Sequence, residues 1–250
     1  MRYTVLTYIF NGYENVHEIG VKDPDAEYIL VTDDKSLKSQ TWKVVHDYVS
    51  DRCTPFEKCY EVRFHPFRYA STDTVVRIDG SIMVKQSLAP VVDAFEAGGY
   101  DRCLMIHPTR NTMPDEYDVW VRTRNYPREQ ADRCLAWMES FQGYNRSYKG
   151  LYQGGFEIVR NIPINRRLNE ITFDALKLLG NDGKIERLDQ TVFSFLANRY
   201  FQDLKVMPVS EEIITRSKYM QLYMHKSTRP IYNRQIPPYL FGKPCKTVDF

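Results

Sequence analysis

The chain has 250 residues, 43% of them hydrophobic and 26% charged, with a formal net charge of +2. That balance suits one large α/β domain around an ordinary core. It argues against a general nucleic-acid binder, which carries a strong basic excess, and no run approaches the roughly 20 apolar residues of a membrane span.

Tyr3 to Phe10 is β-branched and aromatic and predicts a first strand running into "NGYE", with no signal-peptide cleavage pattern. Glu27 to Thr32 predicts a second strand ending at Asp33 and Asp34, and Trp42 to Tyr48 a third. "FEKCYEVRFHPFRYA" fits neither period. Val75 to Asp79 reads as a buried strand, Leu88 to Ala97 as a helix stopped by Gly98 and Gly99, and Cys103 to His107 as another strand closed by Pro108. After Pro127, the spacing of Ala131, Cys134, Leu135, Met138 and Phe141 predicts a helix with one buried face. "LYQGGFEIVRN" is strand-like, Ile171 to Leu179 and Leu188 to Arg199 are helical, and "LKVMPV" is a late strand. The last forty residues, rich in proline, read as an extended tail laid over the domain.

Strands alternating with helices imply a mostly parallel sheet flanked by helices. Ligands bind such sheets beyond the carboxyl ends of the strands, where Asp33, Asp34, Asp79 and His107 fall. Cys53, Cys59, Cys103, Cys134 and Cys245 form no CxxC pair and read as reduced thiols of a cytosolic protein. The 18 tyrosines and 3 tryptophans fit either an aromatic core or a site that stacks flat rings. No GxGxxG, GxxxxGK[ST], HExxH or GxSxG pattern occurs in a suitable context. "DGS" at Asp79 to Ser81 fits a plain turn or a site for Mg²⁺ or Mn²⁺. In the second reading the carboxylate ligates the ion, Gly80 lets a phosphate approach and Ser81 adds an oxygen.

"VLTYIFNGYE", "EYILVTDD", Trp42, "FHPFRY", "VVRIDGSI", "IHPTRNTMPDE", "YQGGFEIVRN" and "RLDQTVFSFLANR" follow one another in this order. The order and spacing, over about residues 3 to 200, resemble a glycosyltransferase-like domain family. That family is shared by bacterial surface-polysaccharide loci, such as those for capsule and lipopolysaccharide, and by plant wall-polysaccharide proteins. The resemblance implies a single GT-A-like domain over 1–250. A nucleotide-sugar half (about 1–110) would precede an acceptor half (about 111–207) and a tail (208–250) that matches poorly. It also implies a UDP-sugar donor, a glycan or lipid-linked glycan acceptor, and a cytoplasmic enzyme in peripheral contact with the inner membrane face. In that fold a strand-end Asp-x-Asp holds Mn²⁺ or Mg²⁺; here Asp79 keeps the first aspartate, Ser81 replaces the second, and His225 is a candidate to complete the shell.

On this reading Thr7, Tyr8, Phe10 and Asp33 frame base and ribose, and Arg68 and Arg77 meet the diphosphate. His107 and Arg110 bind donor sugar or phosphate, and Asp115 and Glu116 orient sugar hydroxyls. Gly154 and Gly155 admit the acceptor, and His225 with Lys226 folds over the diphosphate. Asp189 is the first candidate for a catalytic base, with Gln190 beside it. Each has a structural alternative: a helix cap for Asp33 or Asp189, a surface ion pair for Arg68, a helix N-terminal acid for Asp115 and Glu116, a β-bulge for Gly154 and Gly155, and a solvated basic tail for Lys226. The rival functions are a sugar-phosphate nucleotidyltransferase and a non-catalytic sugar- or nucleotide-binding module of degenerate GT-A fold. The donor sugar, the stereochemistry and the oligomeric state are left open by the sequence.

Overall fold

A computed structural model describes residues 1–47, 53–180 and 189–226, and the backbone of 239–240 and 243–244. Strands β1 (Tyr3–Ile9) and β2 (Ala26–Thr32) are buried at every position, as central parallel strands covered on both faces must be. The shorter β3 (Lys43–His46) is half exposed and closes one edge. Helix α1 (Pro55–Phe64) and a 3₁₀ turn at Pro66–Arg68 follow, then β4 (Thr74–Ile78), β5 (Ile82–Val84), α2 (Ala89–Ala97) and β6 (Arg102–Ile106). The second half contributes α3 (Met113–Arg124), α4 (Arg128–Glu139), β7 (Tyr152–Arg160), α5 (Pro163–Leu179), α6 (Asp189–Tyr200), β8 (Val206–Val209), α7 (Glu212–Thr215) and β9 (Met220–Leu222).

The main sheet has seven strands in the order β3-β2-β1-β4-β7-β6-β8. β7 runs against both of its neighbours, and the remaining pairs are parallel. One face packs against α2 and α7 through Val5, Val76, Met105 and Ile158. On the other, Leu104 and Ile106 of β6 join α1, α3, α4, α5 and α6 in a large aromatic-rich core. The mixed α/β class and the mostly parallel sheet are as expected from sequence.

Three elements depart from expectation. The undecided segment around Phe56 is helix α1, opened by a capping box in which Thr54 and Glu57 satisfy each other's backbone N–H groups. Helix α3, expected only in the alternative that makes Asp115 and Glu116 helix N-terminal acids, is capped by Thr112, which accepts the Asp115 N–H, with Pro114 in its first turn. The strand expected at "LKVMPV" is β8, which extends the sheet, but the expected tail beyond it is ordered through Leu222: α7 follows and β9 pairs antiparallel with β5. Most of the rest of that tail, with Cys245, lies outside the described residues.

From β1 the chain builds β2 and β3 on one side, then crosses to place β4 on the other. The strand order therefore reverses between β1 and β4, and the crevice beyond their carboxyl ends is where an open α/β sheet offers a ligand site.

Candidate functional site

A cleft of about 630 Å³ opens at that reversal, a volume ordinary for a small-molecule site. Tyr8 and Asn11 come from the end of β1, and Asp79 from the end of β4. Tyr60 and Arg63 reach it from α1, Glu116 and Trp120 from α3, Gln153 and Gly154 from β7, and Asp189 and Gln190 from the start of α6.

Asp79 stands at the reversal with its side chain 40% exposed. Its Oδ1 accepts from Arg77 at 3.0 Å and from the Tyr8 hydroxyl at 3.4 Å, and its N–H donates to the Gly155 carbonyl at 2.9 Å. Arg77 does not face the cleft. It is wholly buried, donating to Glu157 at 2.6 Å, to Tyr8 at 3.3 Å and to the Gly154 carbonyl. Glu157 also accepts from Arg102 at 2.7 Å. Burial opposes the Glu157 charge, but Arg102 and Arg77 hold its carboxyl well below the usual range.

β7 makes this arrangement possible. Leu104 pairs with Glu157 but the next residue, Met105, pairs with Gln153, so Gly154, Gly155 and Phe156 form a bulge opposite β6. The freed backbone is used locally: Gly154 N–H donates to Gln190 Oε1 at 3.0 Å, and its carbonyl takes Arg77. A side chain at Gly154 would bring Cβ to 2.8 Å from an Arg63 nitrogen. The bulge reading of Gly154 and Gly155 is the one the backbone adopts. Gly80 also serves packing: a Cβ there would lie 3.0 Å from Ile9 and 3.1 Å from the Tyr8 carbonyl.

Asp189 is held by Arg63 and by the Tyr60 hydroxyl at 2.9 Å. Gln190 Nε2 donates to Glu116 at 2.8 Å, and Arg110 pairs with the other Glu116 oxygen. Burial raises the Glu116 carboxyl above its ordinary range despite Arg110. His107 is buried; its Nδ1 accepts the backbone N–H groups of Thr109 and Arg110. Its Nε2 lies 2.7 Å from Arg110 Nη2, a guanidinium nitrogen that can only donate, and 3.7 Å from Glu116. Cys59 also lines the cleft; burial, then Asp79, push its thiol far up, which disfavours the thiolate.

The cleft thus gathers Tyr8, Asp79, His107, Arg110, Glu116, Gly154, Asp189, Gln190 and His225. Other sequence candidates lie elsewhere. Thr7 and Phe10 are buried in the sheet. Asp33 stands behind the cleft, accepting from Asn11 N–H at 2.8 Å and Lys58 at 3.0 Å. Burial opposes its charge, but these two donors hold its carboxyl low. Arg68 pairs with Glu61 beside a separate groove next to α5. Asp115 is exposed on the first turn of α3, and Gly155 and the buried Ser81 are outside the lining set. Lys226 is exposed; its N–H and the His225 ring both bond the buried Glu14, at 2.7 and 2.9 Å.

Among the described residues no three His, Cys, Asp or Glu groups cluster as a metal cage. Asp79 and His225 on one cleft would fit only an ion held mainly by phosphate oxygens and water, which asks one or two groups of the protein. The residues that sequence reasoning missed, Tyr60, Arg63 and Trp120 among them, ride on α1 and α3; the helix starts Thr54–Glu57 and Thr112–Asp115 were the available signal. No helix among the described residues is long and apolar enough to cross a membrane. No protein-family model matches the chain, and no curated protein matches it.

Proposed function

We propose that this protein is a glycosyltransferase of GT-A type, seating a nucleotide-diphosphate sugar, UDP-linked by resemblance, in the cleft at the β1/β4 reversal and passing the sugar to a glycan hydroxyl. One observation carries the reading. Five of the eight segments behind the family resemblance converge on a single cleft: Tyr8 and Asn11, Asp79, His107 with Arg110 and Glu116, Gln153 with Gly154, and Asp189 with Gln190.

Charge counting refines it. The lining arginines Arg63, Arg110 and Arg124 are matched by Asp79, Glu116 and Asp189, so with neutral histidines the formal sum is zero. A diphosphate gains no net compensation from such a lining. Asp79, with His225 as second group, would hold a divalent cation bound with the diphosphate, and that ion would supply the missing positive charge. The chain's own residues do the rest. Arg63 and Arg110, cleft-lining cations bonded to Asp189 and Glu116, are proposed to stabilise the charge that grows on the departing diphosphate. Asp189 is the carboxylate proposed to face the reacting carbon; with Arg63 and Tyr60 on its oxygens it stands fixed, oriented by α1.

The Arg77–Asp79 ion pair favours a second reading, a sugar- or nucleotide-binding module without transfer. Thermal melts with UDP, GDP, CMP and dTDP compounds, with and without Mn²⁺, test both, because a ligand of the folded state raises Tm by mass action. The expected result is a Mn²⁺-dependent rise with one nucleotide class that Asp79→Ala removes while leaving the ligand-free Tm near wild type. A rise that survives Asp79→Ala overturns the assignment of Asp79. Binding without hydrolysis or transfer of any matching nucleotide sugar selects the module.

A further inference from the structure

Glu14, on the loop after β1, has a wholly buried side chain. Its Oε1 accepts two backbone N–H groups, from Asn15 at 2.9 Å and from Lys226 at 2.7 Å. Its Oε2 faces Nδ1 of His225 at 2.9 Å. The His225 side chain is 71% exposed and lines the cleft. A buried carboxylate thus holds one edge of a ring whose other edge is open to the site.

The ring is tethered to the Asp79 end of the cleft from two sides. Tyr223, two residues before it, donates its N–H to the Ser81 carbonyl at 2.9 Å, continuing the pairing of β9 with β5. Tyr13 meets the imidazole edge-on at 5.9 Å and donates its hydroxyl to the Tyr8 carbonyl at 3.3 Å.

An ionised carboxylate only accepts, so Nδ1 supplies the proton of its bond to Glu14. A neutral imidazole carries one such proton, which leaves Nε2 with its lone pair on the open edge. Resting on the glycosyltransferase reading, we infer that Glu14 is the positioning residue for His225: it fixes the tautomer and ring plane in which Nε2 can ligate the divalent cation assigned to Asp79. Carboxylates behind metal-binding histidines set the ring in this way. Glu14→Gln isolates the effect. The two backbone donors keep the amide oxygen in the Oε1 place, so the amide NH₂ takes the Oε2 place and donates to Nδ1. The imidazole proton then moves to Nε2 and blocks its lone pair.

Long-range ¹H–¹⁵N spectra of the histidine rings, recorded without metal or ligand at about pH 8, above the ordinary histidine value, read the tautomer directly. The His225 proton should sit on Nδ1 in wild type and on Nε2 in Glu14→Gln. The wild-type spectrum tests the inference even where a substitution at the buried position unfolds the chain. Calorimetry with Mn²⁺–UDP and Mn²⁺–GDP should show binding of one of them weakened about tenfold or more in Glu14→Gln. His225→Ala should lose at least as much, and the double variant no more than His225→Ala alone. A wild-type ring with its proton on Nε2, or on both nitrogens, overturns the inference. So does binding that Asp79→Ala abolishes but His225→Ala and Glu14→Gln leave untouched, an outcome under which the glycosyltransferase reading stands. A wild type with no Mn²⁺-dependent binding of either nucleotide removes both.

Discussion

At the scale of single residues, Asp79 and Arg77 divide two tasks. Asp79 keeps its side chain 40% exposed at the cleft, whereas Arg77 is buried with its donors spent on Glu157, Asp79, Tyr8 and the Gly154 carbonyl. Burial disfavours the Arg77 charge, but Glu157 more than restores it. Arg77→Met leaves Glu157 with Arg102 as its one guanidinium and frees the Gly154 carbonyl, and should cost about 3–5 kcal/mol of stability. Arg77→Lys keeps the charge but not the fork, and should fall between that and wild type. Asp79→Ala removes the partly exposed partner but leaves Arg77 its bonds to Glu157, Tyr8 and the Gly154 carbonyl, and should cost about 1 kcal/mol. Urea melts of the three variants check the order; an Arg77→Met protein as stable as Asp79→Ala would mean the guanidinium holds nothing together.

At the scale of elements, the bulge in β7 is the part on which the cleft depends. Gly154→Ala drives Cβ into the Arg63 guanidinium, whose retreat is blocked by its bond to Asp189, and should destabilise by about 1–3 kcal/mol. Gly155→Ala would put Cβ at ordinary contact distances, 3.4 Å from the Met105 methyl, 3.6 Å from Ile82 and 3.7 Å from Asp79, and should cost less than half as much, a contrast that denaturant midpoints will register. The "GG" pair was visible in sequence, but its register was not, because the slip is defined by Leu104 and Met105 on a strand some fifty residues earlier. The central strands were legible because both faces are buried, giving unbroken apolar runs. Helix α1 was not, because Lys58 and Arg63 are buried on it, at 7% and 5% exposure, and break the apolar stripe. Their charges are carried inward by partners from distant segments, Asp33 and Asp189. The same cause hid much of the site: its basic and aromatic wall comes from helices whose polarity faces a cleft, not solvent.

At the scale of the whole molecule, the Arg77–Glu157–Arg102 chain ties β4, β7 and β6 together and reaches α5 through Arg102 and Asn169 at 2.8 Å. Its protonation should therefore be felt in global stability. Glu157 has a folded pKa well below its unfolded value. Its contribution is complete above about pH 4.3, the ordinary glutamate value, and is lost as pH falls toward the folded pKa, because the unfolded chain takes up a proton that the folded one refuses. Asp33 and Glu27, also held low once their donors outweigh burial, add slope of the same sign. Glu116 runs the other way: burial raises its folded pKa, so its charged form costs stability at neutral pH and that cost disappears as the group protonates above about pH 4.3. Urea unfolding from pH 3 to 8 should thus show a plateau, or a slight rise, on acidification toward that value and a steep fall beyond it. Glu157→Gln should lower the plateau by about 3–5 kcal/mol, since two buried guanidiniums lose their shared anion. It should also flatten the acid limb by about one proton's worth of slope. If the variant and wild-type curves run parallel from pH 8 to pH 3, Glu157 does not carry its charge in the folded protein, and the buried chain is held by hydrogen bonds alone.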